Sequence, residues 1–140
     1  MDSVKEMART RLTVRYHECD PSGIVFNANY LTYADIASFE TFETALGPYE
    51  GLASRGLELV VAESNLRFLA PCRPNDELDI AGLLDRLGST STVLRFRMHR
   101  GDELVAEVTN RYVWVDAESK KPITPPEDIR DALSAYVPSA

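Results

Sequence analysis

Polar and apolar residues alternate from Ala8 to Glu18, with Leu12, Val14 and Tyr16 on one face and Arg11, Thr13, Arg15 and His17 on the other. A period of two predicts a half-buried strand. The period then lengthens. From about Asn29 to Leu46 the spacing is helical, and Gly47-Pro48 supplies the stop. The apolar positions of this helix, from Tyr30, Leu31 and Tyr33 through Phe39 and Phe42 to Leu46, cover most of its circumference. A helix apolar nearly all round is expected to be wrapped by protein.

A short helical piece near Tyr49 to Ser54 precedes Gly56, and period-two patterning returns in four segments: Leu57 to Leu69, Glu77 to Leu87, Thr92 to Arg100 and Glu103 to Val115. In the third, Leu94, Phe96 and Met98 should face inward, with Arg95, Arg97 and His99 facing out. Gly101-Asp102 reads as a tight hairpin turn. Thr124-Pro125-Pro126-Glu127 fits a capping box opening a last helix to about Tyr136. The expected class is α+β, with five antiparallel strands covering one long helix and a short C-terminal helix, in one domain over residues 1–140. Such a curved sheet leaves edge strands open, so a homodimer or a dimer of dimers is expected.

Composition narrows the classes of function. The 140 residues carry a formal charge of −7, which argues against a nucleic-acid partner. Any polyanionic ligand must therefore find a local basic cluster. No apolar run approaches the roughly 18 residues needed to cross a bilayer, so no membrane partner is expected. The Met1-Asp2-Ser3-Val4-Lys5-Glu6 start lacks a secretory pattern, giving a cytoplasmic expectation. Cys19 and Cys72 have no metal-ligand spacing, and two distant histidines, His17 and His99, make no zinc set, so neither metal nor cofactor is expected.

The chemistry concentrates between Tyr16 and Tyr30. Asp20-Pro21-Ser22-Gly23 has the composition of a type I turn, which is reason enough for its residues. The helix entry a few residues downstream gives the turn a second meaning. A residue there, such as Asn27, has a backbone N–H without an intrahelical partner, aligned with the helix dipole. A carbonyl oxygen placed there would be polarised as in an oxyanion hole. Asp20 beside it could act as nucleophile or general base. His17 and Cys19 share the strand face that points away from the helix and are set aside as a dyad. Glu18 reads either as a second carboxylate or, more simply, as a strand-end charge. Asp35, Glu40 and Glu43 read as the helix's solvent or interface face. Tyr30 and Tyr33 read as core aromatics that could also line an acyl pocket.

The run Val14-Arg15-Tyr16-x-Glu18-Cys19-Asp20-Pro21-x-Gly23-Ile24-Val25, continued by Asn29-Tyr30-Leu31, resembles the hotdog-fold acyl-CoA thioesterases of the 4-hydroxybenzoyl-CoA thioesterase-like kind. Weaker similarity runs through Leu66-Arg67-Phe68, Pro71 and Asp76 to Val113-Trp114-Val115-Asp116. The resemblance implies a five-stranded sheet around one helix, dimers with sites between subunits, and hydrolysis of a small or medium acyl- or aryl-CoA, or a carrier-protein thioester. It implies Asp20 as the attacking group or base and the Asn27 N–H as the carbonyl's donor. The substrate-contacting set it implies is Gly23, Phe26, Tyr30, Tyr33, Leu59, Val60 and Arg86. Two departures stand out. Many relatives have histidine at Asn27, and the aryl-CoA branch has consecutive basic residues where this chain has Leu87-Gly88-Ser89-Thr90, so phosphate binding would fall to Arg86 or other arginines. The mostly apolar Leu57-Glu58-Leu59-Val60-Val61 run suggests an aliphatic or unsubstituted aryl acyl group. Rival readings are a hotdog hydratase or dehydratase and a non-catalytic acyl-thioester-binding module.

Overall fold

The computed structural model describes residues 5–138. Its strands are β1 (Glu6–Thr13), β2 (Leu57–Phe68), β3 (Glu77–Leu87), β4 (Ser91–Arg100) and β5 (Glu103–Asp116); its helices are α1 (Asn29–Leu46), α2 (Tyr49–Ala53) and α3 (Glu127–Ser134). The strands form one antiparallel sheet in the order β1-β3-β4-β5-β2. Bulges near Ala62, Asp85 and the Met98–His99 step bend the sheet around α1.

The β4 alternation is as expected. Leu94, Phe96 and Met98 are fully buried on the inner face, each worth about 1.5–3 kcal/mol of transfer free energy. After Tyr30 and Tyr33, the buried side of α1 is built from small residues, Ala34, Ala37, Ser38 and Thr41, so the helix lies close to the sheet. A close approach is at Gly82 on β3, opposite Phe96. An alanine Cβ there would collide with Thr41 Oγ1 and stand 2.8 Å from its Cγ2. Gly82→Ala is therefore expected to lose about 1–3 kcal/mol of stability in denaturant unfolding. Adding Thr41→Ala should recover part of it, because only the Thr41 Cβ, at 3.1 Å, then remains in the way.

Three expectations need correction. The first strand does not run to Glu18; it ends at Thr13, opposite Glu77, where β3 begins. The Val14 N–H then bonds the Asp76 carbonyl at 2.8 Å, and Tyr16–Glu18 forms a 3₁₀ turn that swings Tyr16 out to 84% exposure. The capping box at Thr124 is absent. The cap position of α3 is Pro126, without a side-chain hydrogen bond, and its carbonyl receives the Ile129 and Arg130 N–H groups. Finally, α1 is buried on one side only. Leu31, Ile36 and Phe39 remain 38%, 48% and 57% exposed, because α1 lies over β1 and β3 and leaves the β2 edge uncovered.

Candidate active site

The segment from Glu18 to Phe26 folds back on itself as a miniature hairpin. The Phe26 N–H bonds the Glu18 carbonyl at 3.0 Å, Cys19 bridges Val25, and the Asp20 N–H bonds the Ile24 carbonyl at 2.9 Å. Asp20 stands at its tip. Its carbonyl receives the Gly23 N–H at 2.8 Å, and Gly23 takes the positive φ of 79° that this turn requires. One carboxylate oxygen, Oδ1, accepts the Ser22 N–H at 2.8 Å. No other hydrogen bond reaches that carboxylate among the described residues, so its second oxygen is available.

The hairpin's return arm feeds directly into α1. Asn29, Tyr30 and Leu31 already donate to Phe26, Asn27 and Ala28. That leaves the N–H groups of Asn27 and Ala28 without an acceptor among the described residues, at the positive end of an 18-residue helix. No hydrogen bond joins the Asp20 side chain to Asn27; the two groups flank a single connection, one at its tip and one at its end.

A cavity of about 420 Å³ opens at this mouth, lined by Ile24, Val25, Asn27, Tyr30, Phe68, Leu69, Ala70 and Pro71. Tyr30 is 4% exposed and its ring packs against Phe68 at 5.6 Å. Burial, and then the contact with the Cys72 thiol, holds the Tyr30 phenol well above the usual tyrosine range. Burial, with the nearby Glu18 and Asp20 carboxylates, likewise raises Cys19, which keeps it a thiol and a poor nucleophile.

A second cavity, of about 430 Å³, lies farther along α1, against β2 and β5. Asp35, Ser38, Phe39 and Phe42 line it from the helix, and Leu59, Val61 and Tyr112 from the sheet. A polar chain leads to its Tyr112: Ser64 donates to Asn110 Oδ1 at 2.6 Å, and Asn110 Nδ2 donates to the Tyr112 hydroxyl at 3.3 Å. Sequence reasoning missed this chain. Its only trace is that Asn110 interrupts the inward register Val108, Asn110, Tyr112, Trp114 with an amide.

The implied contact residues fall in different places. Asn27 and Tyr30 line the mouth, and Leu59 lines the second cavity. Gly23 and Phe26 lie exposed on the hairpin. Val60, by strand alternation, points to the opposite side of the sheet from Leu59 and Val61. Tyr33 is 1% exposed and lines neither cavity; its hydroxyl donates to Glu18 Oε1 at 2.7 Å. Glu18 is thus no strand-end charge. Arg86 is exposed at the far end of β3, roughly 30 Å along the strand from the Asp76 end.

Residues 14–133 match the model of the thioesterase-like superfamily. The chain belongs to that superfamily. It is 26% identical over 122 residues to the acyl-CoA thioester hydrolase YbgC of Escherichia coli O157:H7, covering 86% of this chain and 91% of that one. It is 27% identical over 139 residues to the chloroplastic acyl-acyl carrier protein thioesterase ATL3 of Arabidopsis thaliana, covering 96% and 71% of the two chains. Among solved structures, TT1821 from Thermus thermophilus superposes with a TM-score of 0.85 at 33% identity, over 91% of this chain and 98% of the other. The five-stranded antiparallel sheet around one long helix is the hotdog fold.

Proposed function

We propose that this thioesterase-superfamily chain, read as one domain, hydrolyses an acyl-CoA thioester to the free acid and CoA, with Asp20 as the attacking group or base. The observation that carries this reading is the Asp20 carboxylate, pinned through one oxygen and open at the other, on a hairpin that ends in unpaired N–H groups at a helix mouth. A thioester oxygen at the Asn27 N–H would gain about 3 kcal/mol of transition-state stabilisation from such a donor. The new C–O bond then forms in one of two balanced ways, to an Asp20 oxygen or to water. Asp20 attacks directly, giving a mixed anhydride and the CoA thiolate, and water cleaves the anhydride. Alternatively, it takes a proton from water as that water attacks, then returns the proton to the departing thiolate.

The site is proposed to be completed by a second copy. Along the 12-residue β2 edge the concave residues Val61 and Phe68 stay 49% and 55% exposed, and Phe39 of α1 stands open beside Val61. Antiparallel pairing of two β2 edges would bring the Leu59–Val61 end of one copy beside the Leu66–Phe68 end of the other. The second cavity of one copy would then adjoin the Asn27 mouth of its partner, making one composite acyl site. Tyr112, Asp35 and Ser38 put polar groups in the lining of that cavity, so it is less apolar than the Leu57–Val61 run implies.

A panel of aliphatic and aryl acyl-CoA thioesters and an acyl-carrier-protein thioester, with free-thiol release as the readout, tests the reading. Turnover of at least one CoA thioester with kcat/KM above about 10⁴ M⁻¹s⁻¹ is expected. Carrier-protein turnover alone would reassign the carrier. Enoyl-CoA hydration without thiol release would favour the hydratase, although neither His17 nor His99 lines either of the two cavities described above.

A further inference from the structure

Glu18 gathers more ties than any other residue of the hairpin. Its Oε1 accepts the Tyr33 hydroxyl at 2.7 Å and the Arg15 N–H at 2.8 Å. Its main-chain carbonyl accepts Asn29 Nδ2 at 2.7 Å and the Phe26 N–H at 3.0 Å. Its own N–H closes the 3₁₀ turn on the Arg15 carbonyl at 3.0 Å. One residue therefore joins four pieces: the 3₁₀ turn, the hairpin's return arm, and two successive turns of α1. Asp20 lies two residues downstream, and Asn27 comes directly after Phe26.

Each tie restrains a different freedom. The Asn29 amide fixes how the start of α1 meets the outgoing arm. The Phe26 bond fixes the spacing between the arms. The Tyr33 bond anchors the assembly to a buried ring that cannot move without the core, since Tyr33 is 1% exposed and its neighbour Tyr30 packs edge-on against it at 5.7 Å. Burial first, and the Glu18 carboxylate second, hold the Tyr33 phenol far above its usual range, so it stays a donor at all working pH values. Neither Glu18 nor Asp20 lines a described cavity; what separates them is that Glu18 Oε1 already holds two donors, whereas the Asp20 carboxylate holds only the Ser22 N–H.

We propose that Glu18 is the positioning residue of this site, holding the Asp20 turn in register with the free N–H groups of the α1 mouth through Tyr33 and Asn29. The inference rests on the Asp20 reading above. Its requirement is geometric: an attacking oxygen and an N–H donor on opposite ends of one flexible connection act together only if that connection is rigid, and displacements near 1 Å cost up to about a hundredfold in rate. The carboxylate is needed here as an acceptor for two donors, and a glutamine oxygen can serve both.

The test compares Glu18→Ala, Glu18→Gln, Tyr33→Phe and the Glu18→Ala/Tyr33→Phe double variant. It measures steady-state kinetics with a CoA thioester and hydrogen exchange over residues 16–30. Glu18→Ala should lower kcat by roughly 10–100-fold with KM changed less than about threefold, and should speed exchange of the Phe26 and Asp20 amides. Tyr33→Phe should reproduce part of both effects, and the double variant should be no slower than Glu18→Ala, since both remove one coupled tie. Glu18→Gln should restore kcat to within about fivefold and return exchange to the wild-type rate. A Gln variant as slow as Ala, with wild-type exchange, would make Glu18 a charge in the chemistry and overturn positioning. So would a Glu18→Ala variant with wild-type kcat, or additive losses in the double variant. Wild-type protein with no thiol release would overturn the thioesterase reading, whereas the outcomes above overturn positioning while wild-type turnover stands.

Discussion

Asp20→Asn is expected to keep its fold and lose about 10³-fold in kcat/KM for CoA thioesters, equivalent to roughly 4 kcal/mol of transition-state stabilisation. The fold survives because the turn uses Asp20 in ways an asparagine can match. The carbonyl still accepts the Gly23 N–H, the N–H still meets Ile24, and an amide oxygen can replace Oδ1 as acceptor for Ser22. What the amide cannot do is attack a carbonyl carbon or take a proton from water. The turn-forming and chemical roles of Asp20 thus separate in one variant. Circular dichroism and thermal melting should match wild type while thiol release falls. Full turnover by the asparagine variant would leave Asp20 as a turn residue and no more. Single-turnover hydrolysis in ¹⁸O-water adds the choice of mechanism: label appearing in Asp20 marks passage through an anhydride cleaved at the aspartyl carbon.

Val61→Glu should turn a two-chain species into a single chain and abolish most hydrolysis. Val61 sits on the concave side of the open β2 edge and is 49% exposed in one copy, so a glutamate costs the isolated chain little. In a paired edge the same carboxylate would be buried beside Phe39 and Leu59 with no cationic partner, at a cost of several kcal/mol. Analytical ultracentrifugation should show wild type as two chains and the variant as one, with unchanged secondary structure. Turnover should drop by about tenfold or more, because each Asn27 mouth would lose the substrate positioning supplied by the neighbouring copy's cavity. Wild-type protein that sediments as one chain at full turnover would refute the composite site.

How far the site is legible in the sequence differs by residue. Asp20 and the Asn27 N–H stand out because their signals are local: a turn tetrad, then a helix start a few residues on. Glu18 is legible as a carboxylate but not as a clamp, because its partner Tyr33 lies on another element and the 3₁₀ turn at Tyr16–Glu18 breaks the alternation that placed it. Val60 falls in with Leu59 in an apolar run, whereas adjacent strand residues point to opposite faces. The Ser64–Asn110–Tyr112 chain joins strands 46 residues apart, and no sequence window contains both ends.

By itself the sequence determined the elements and their faces. The helix from Asn29 to Leu46, the strand from Glu77 to Leu87 and the inward Leu94, Phe96 and Met98 all arise from hydrophobic period and from Gly47-Pro48, which act within a few residues. Tertiary structure decided what period cannot encode. It ended β1 at Thr13 because β3 begins at Glu77 and Val14 is tied to the turn at Asn75 and Asp76, and it left α1 bare along β2 because one five-stranded sheet cannot enclose a helix. It also turned Glu18 from a strand-end charge into the knot between the hairpin and the helix. Pairing, enclosure and hydrogen-bond partnership depend on atoms distant in the chain, and only the folded molecule brings them within reach.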